Sequence, residues 1–228
     1  MEQTPFEDFG QQAKFVENPD PRCPSVLVLD VSASMFGDKI ASLNGGLKTY
    51  QEELVSDSLA SKRVEVAVVT FGGSVERLSD FTSAGEFLPP TLIANGHTPM
   101  GEALNVAIDM IDERKRIYRE NGIAYYRPWI FLITDGEPND EWKSIISRIK
   151  SGEESKQFSF FAVGVGDEAN YDILAQLSSR QPLKLKGLRF TELFSWLSRS
   201  QQSVSRSNPG DEVPLSNPAV PDGWASIV

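Results

Sequence analysis

The chain has 228 residues, a net charge of −10 and a single cysteine, Cys23. Its length suits one sizeable α/β domain with a full core, and a hydrophobic fraction of 40% excludes a disordered or fibrous composition. The acidic balance disfavours nucleic acid and anionic membranes as partners, no apolar run approaches the ~20 residues that cross a bilayer, and one cysteine permits neither an internal disulfide nor a thiolate cluster.

Residues 1–24 read as an irregular lead-in, acidic at its start and interrupted by Pro5, Pro19, Pro21 and Pro24. No basic stretch leads into an apolar one, so a secretory signal is not expected, and a lone free thiol fits a reducing cytoplasm. Val26-Leu27-Val28-Leu29 is apolar on both faces, the pattern of a central strand, and it ends at Asp30. Ile40, Leu43, Leu47, Tyr50 and Leu54 then recur at helical spacing, predicting a helix over 38–56. Gly45 and Gly46 weaken that helix, and close approach to the sheet is their expected use. A strand over 64–71 and a Gly72-Gly73 turn lead into an edge strand near 74–80. After a loop over 82–98, Thr98 and Pro99 read as the cap and first residue of a helix whose buried stripe is Met100, Leu104, Ala107, Ile108 and Ile111. The basic residues Arg114, Lys115, Arg116 and Arg119 near its end read as a solvated face favoured by the helix dipole.

Trp129-Ile130-Phe131-Leu132-Ile133 is a second buried strand, followed closely by Asp135. A helix over 139–151, a strand over 158–165, a helix near 170–178, a short strand at 183–186 and a helix over 191–202 continue the alternation. Gly164-Val165-Gly166-Asp167 reads as a strand-to-helix turn, since a phosphate loop needs a third glycine. The expected fold is therefore an α/β domain over 25–202: a doubly wound, mostly parallel sheet with one antiparallel edge strand and helices on both faces. From 203 to 228 the composition shifts to Ser, Pro, Gly and acid, as in a tail. Trp224, Ile227 and Val228 at its end leave two readings open, docking onto the chain's own domain or presentation of a peptide to a partner.

Three segments carry chemistry: Asp30-Val31-Ser32-Ala33-Ser34, then Gly96-His97-Thr98-Pro99, then Thr134-Asp135-Gly136-Glu137-Pro138. Ligands of open α/β sheets gather outside the carboxyl ends of the strands. Two carboxylates and three hydroxyls, from Asp30, Asp135, Ser32, Ser34 and Thr98, can converge there. A set of hard oxygens without histidine or thiolate selects Mg2+, with Mn2+ or Ca2+ as alternatives, over zinc or copper. Two aspartates only just balance a divalent ion. If one acts through water, the ion stays electrophilic and has a coordination position for an Asp or Glu of a partner protein. Met35, Phe36, Gly37, His97, Pro99, Gly136 and Glu137 flank the motifs and are expected to form the rim that such a partner meets.

These segments, with Asn18-Pro19-Asp20-Pro21-Arg22-Cys23-Pro24 ahead of them, resemble bacterial TerY-like von Willebrand factor A proteins over roughly residues 17–200. The resemblance implies that superfamily's metal-ion-dependent adhesion site, with Asp30, Ser32 and Ser34 as the first motif, Thr98 the second and Asp135 the third. It further implies a scaffold role in tellurite-resistance and stress systems beside kinase- or phosphatase-like partners. Ala33 stands where many relatives carry glycine, at a position that is not a ligand, and His97 stands where glycine is common, on the expected rim.

Two other readings compete. A Mg-dependent phosphotransferase or phosphatase of the haloacid-dehalogenase type also places an aspartate after a central strand, but its second aspartate would fall at Ser32. A serine nucleophile would want Gly-x-Ser-x-Gly, which is absent, and His97 is the one histidine. A non-enzymatic binding module is the expectation, with a metal of purely structural use as the remaining alternative.

Overall fold

A computed structural model of the chain describes residue 15 and residues 17–227. The expected irregular lead-in falls largely outside the described residues, as does Val228. Strand β1 (Cys23–Asp30) is followed by a 3-10 turn (Ala33–Met35), helix α1 (Asp38–Ser56) and a short helix α2 (Ala60–Arg63). Strands β2 (Val64–Gly72) and β3 (Ser74–Ser83) form a hairpin around Gly73, and helix α3 (Met100–Glu120) leads to β4 (Trp129–Thr134). A second 3-10 turn (Trp142–Ser144) opens α4 (Ile145–Glu154), which precedes β5 (Ser159–Val165), α5 (Tyr171–Leu177), β6 (Leu183–Leu185), α6 (Phe190–Arg206) and β7 (Ala225–Ile227).

The strands form one sheet in the order β3-β2-β1-β4-β5-β6-β7. Strands β2, β1, β4, β5 and β6 run parallel. The expected antiparallel edge strand is β3, and β7, built from the tail, adds a second at the opposite edge.

Period-two alternation divides the core. Leu27 and Leu29 face one side, with Phe131, Phe161 and residues of α1 and α6. Val26 and Val28 face the other, with Ile130, Leu132 and residues of α3, α4 and α5. Gly46 serves packing, though against a helix and not the sheet: a Cβ there would sit 2.5 Å from Phe194 Cδ2, so α1 and α6 close together only with glycine at this position. A Cβ at Gly45 would meet nothing within 4 Å, so the expected close approach does not extend to it.

The tail folds back on its own domain. Trp224 is buried and packs edge-on to Trp196 at 5.6 Å between ring centroids, while Trp196 donates to the Ser216 carbonyl at 2.7 Å. Beside the Trp224 ring, β7 pairs with β6, and the Lys186 amide donates to the Trp224 carbonyl at 2.9 Å.

At the amino ends of the strands, Glu65 of β2 is buried and fully engaged. It accepts from Arg22 at 3.1 Å, from Arg114 at 2.8 Å with both carboxylate oxygens, and from the Tyr118 hydroxyl at 2.5 Å. The guanidinium groups of Arg22 and Arg114 also lie over the Phe15 ring, 5.5 and 5.2 Å from its centroid. Arg114 is therefore not part of a solvated basic face: its side chain is only 11% exposed. The Tyr118 hydroxyl is pushed well above its usual range by burial and by the Glu65 charge beside it.

Candidate metal site at the carboxyl ends of β1 and β4

β1 pairs with β2 on one side and β4 on the other, so the connections leave it in opposite directions and a crevice opens at the carboxyl ends. Asp30 is the last residue of β1, and Thr134 the last of β4. Leu29 is in register with Ile133, which brings these two ends side by side. The Thr134 hydroxyl donates to Asp30 Oδ2 at 2.5 Å, and the Ser32 amide donates to Asp30 Oδ1 at 2.8 Å. Asp30 is fully buried. Burial pushes its carboxyl above the usual carboxylate range against the pull of the Ser32 and Thr134 hydrogen bonds, and the nearby Asp135 charge adds to the rise.

Backbone hydrogen bonds lace the second motif to the first. Asn95 N–H donates to Val31 O at 2.7 Å, Ala33 N–H to Gly96 O at 3.1 Å, and Gly73 N–H to His97 O at 3.0 Å. Thr98 is thereby held at the crevice, 8% exposed. Its side chain caps no helix. α3 begins at Met100, and the amides of Gly101 and Glu102 instead donate to the Asp140 carboxylate at 3.1 and 2.8 Å. The expected cap thus comes from a residue 39 positions downstream of Gly101, which leaves the Thr98 hydroxyl available.

Ser34 Oγ donates to Asp135 Oδ1 at 2.6 Å and lies 3.0 Å from Ser32 Oγ. A methyl group placed on Gly136 would lie 3.7 Å from Ser34 Oγ, 3.7 Å from Thr98 Oγ1 and 4.0 Å from Asp30 Oδ2. Oxygens from the first and second motifs therefore surround one small space beside Gly136 of the third. Asp30, Ser32, Ser34, Thr98 and Asp135 are brought together as a group. Among the described residues no cluster of three or more His, Cys, Asp or Glu exists, so hydroxyls must supply part of any cation site here.

The rim differs from expectation at one residue. Met35 is fully buried, because the 3-10 turn over Ala33–Met35 aims its side chain into the core beside α1. Phe36, one residue on, is 81% exposed. Gly37, His97 and Glu137 are exposed, and Pro99 and Gly136 half-buried. Glu137 accepts from Asn170 at 2.6 Å, which joins the third motif to the loop before α5.

Lys39 was not singled out by the motifs. Its ammonium donates to Asp135 Oδ2 at 2.5 Å and to Glu168 Oε2 at 3.2 Å. Burial would lower its pKa, but the two carboxylates more than offset this and hold it above the usual lysine value. A signal for it existed in the sequence. A cation in the first turn of a helix opposes the macrodipole, so one found there, five residues after Ser34, calls for an anionic partner nearby.

A family model, the von Willebrand factor type A domain, matches residues 26–191. The chain belongs to this family. It is 30% identical over 178 residues to mouse inter-alpha-trypsin inhibitor heavy chain H2, covering 72% of this chain and 18% of that protein. With human inter-alpha-trypsin inhibitor heavy chain H6 it shares 27% identity over 160 residues, 67% of this chain and 12% of that one. The match thus spans less than a fifth of these relatives' length. Among solved structures, a von Willebrand factor type A protein from Catenulispora acidiphila aligns with a TM-score of 0.59 at 18% identity, covering 80% of this chain and 43% of that chain. The pilus adhesin SpaC from Lactobacillus rhamnosus GG aligns at 0.62 with 14% identity, covering 81% and 30%. At these identities the structural matches speak for the von Willebrand A fold.

Proposed function

We propose that this von Willebrand A domain is a metal-dependent protein-binding module. Asp30, Ser32, Ser34 and Thr98 hold a divalent cation, Mg2+ by preference with Mn2+ or Ca2+ as substitutes, and Asp135 acts from behind Ser34. When bound, the ion supplies an electrophilic position for an Asp or Glu side chain of a partner protein. The observation that carries this reading is the gathering of three oxygens, two from the first motif and one from the second, around the space beside Gly136 of the third. Hydroxyl and carboxylate oxygens alone suit a hard cation that keeps part of its water. Exposed Phe36 and His97 then form an apolar and polar rim for the partner.

The reading is non-enzymatic. Both oxygens of Asp30 are already engaged and the residue is fully buried, so it is poorly placed to attack a substrate phosphorus. Ser32 occupies the place where a phosphotransferase would need a second acid. The motif resemblance to TerY-like proteins supports a scaffold in a bacterial tellurite- or stress-resistance system, with a kinase- or phosphatase-like partner, in the cytoplasm.

Gly136→Ala tests the site without disturbing the fold. The added methyl meets no atom closer than 3.7 Å, so stability changes by less than about 1 kcal/mol. It occupies the space among the donor oxygens, and Mn2+ affinity by calorimetry falls by about tenfold or more. Unchanged affinity would place the ion elsewhere. The function itself is tested by capture from the source cell's lysate on immobilised protein, in Mg2+ and again with chelator. A partner retained in Mg2+, released by chelator and missing with Asp30→Ala is expected; equal capture in both conditions makes the metal incidental.

A further inference from the structure

Asp135 does not face the crevice as a free anion. Its Oδ1 accepts from Ser34 and its Oδ2 from Lys39, and its side chain is 0% exposed against 23% for Lys39. Gly37 makes this reach possible. It adopts φ 85° between the 3-10 turn and α1, a left-handed conformation that favours glycine, and so sets the first turn of the helix against the third motif. The second contact of Lys39, Glu168, has a side chain 78% exposed and competes with water for the ammonium, so Asp135 is the principal partner.

The charge balance of the donor group follows directly. Asp30 and Asp135 contribute two negative charges, and Lys39 returns one positive charge to Asp135. A divalent ion here meets one net negative charge, with the remaining donors neutral hydroxyls. We propose that Lys39 is the built-in counter-cation of this site, neutralising Asp135 so that the site binds its metal less tightly and a partner's carboxylate more tightly. The proposal rests on the metal-site reading above and names what gives that site its appetite for an anion.

Two opposed shifts are the signature. Lys39→Met keeps the length of the stem and removes the charge. Its affinity for Mn2+ rises about tenfold, the order expected for one charge acting on a divalent ion through a near-aqueous dielectric. The affinity of the Mn2+-loaded variant for acetate, the simplest carboxylate probe, falls by about threefold, since the same charge acts there on a monovalent ion. Lys39→Arg retains the charge and restores both affinities toward wild type. A residue that merely braced the loop would move both affinities in one direction, or neither.

The experiment uses the full chain. Free Mn2+ is counted by electron paramagnetic resonance during titration of wild type, Lys39→Met and Lys39→Arg. Acetate is then titrated into each loaded protein and read from water-proton relaxation, which drops as acetate displaces a water on the ion. Tighter Mn2+ with weaker acetate in Lys39→Met, rescued by Lys39→Arg, establishes the counter-cation. If Lys39→Met binds Mn2+ no more tightly, or holds acetate as well as wild type, the role of Lys39 is overturned while the metal site stands. If wild type binds no Mn2+ that Asp30→Ala lacks, the metal site fails and this proposal fails with it.

Discussion

Glu65→Ala is expected to cost about 3–5 kcal/mol of folding stability, the range for removing one member of a buried ion-pair network. The carboxylate is the common acceptor of Arg22, Arg114 and Tyr118, and its side chain is 4% exposed. Alanine leaves two guanidinium groups over the Phe15 ring without the carboxylate they share. Loss of the carboxylate that these two buried cations share, more than the loss of any one hydrogen bond, supplies the cost. Glu65→Gln keeps the shape and an acceptor oxygen but loses the charge, and about 2 kcal/mol is expected from weakened charge-assisted bonds. Urea unfolding measures both. A loss below about 1 kcal/mol for alanine would mean that water relaxes the network. Because Glu65 sits at the amino ends of the strands, native Glu65→Gln keeps wild-type Mn2+ affinity.

Asp30→Ala is expected to lower Mn2+ affinity by about a hundredfold or more, since it removes a carboxylate whose oxygen borders the space beside Gly136. Its effect on the metal-free fold is small by comparison. The Ser32 amide and Thr134 hydroxyl lose their acceptor, while the desolvated carboxylate that burial disfavours is also gone. A net loss within about 2 kcal/mol follows from these opposing terms. Wild type gains about 2.7 kcal/mol at an ion concentration one hundred times its Kd, and the variant gains about 0.4 kcal/mol or less. Calorimetric titration and urea unfolding with and without Mn2+ check both statements. Global unfolding of the metal-free variant would favour a metal, or an aspartate, of structural use alone.

The architecture was legible because the strands are covered on both faces. Unbroken apolar runs such as Val26–Leu29 and Trp129–Ile133 mark buried strands wherever they occur, and the helices between them follow from 3.6-residue spacing. The motif aspartates were legible for the same reason, as polar residues at the ends of apolar runs. What escaped depends on long-range contacts. Met35 adjoins a polar motif in sequence, yet a single 3-10 turn rotates it into the core. β7 has three residues and depends on long-range partners, the pairing with β6 and the contact of Trp224 with Trp196. The capping of α3 by Asp140 and the pairing of Arg114 with Glu65 join segments 39 and 49 residues apart. Lys39 lies between these cases. Its partner is 96 residues away, but its unfavourable place in the first turn of a helix was visible in the sequence.

The central claim is that a divalent ion sits among the oxygens of the first two motifs, beside Gly136 of the third, and a crystal structure of the protein grown in Mn2+ tests it most directly. The account predicts an anomalous Mn2+ peak beside Gly136, bonded to oxygens of Asp30, Ser32, Ser34 and Thr98, with at least one further position held by water or by a carboxylate of a neighbouring molecule. Crystals that show no peak at that place, or a peak coordinated by other residues, would contradict it.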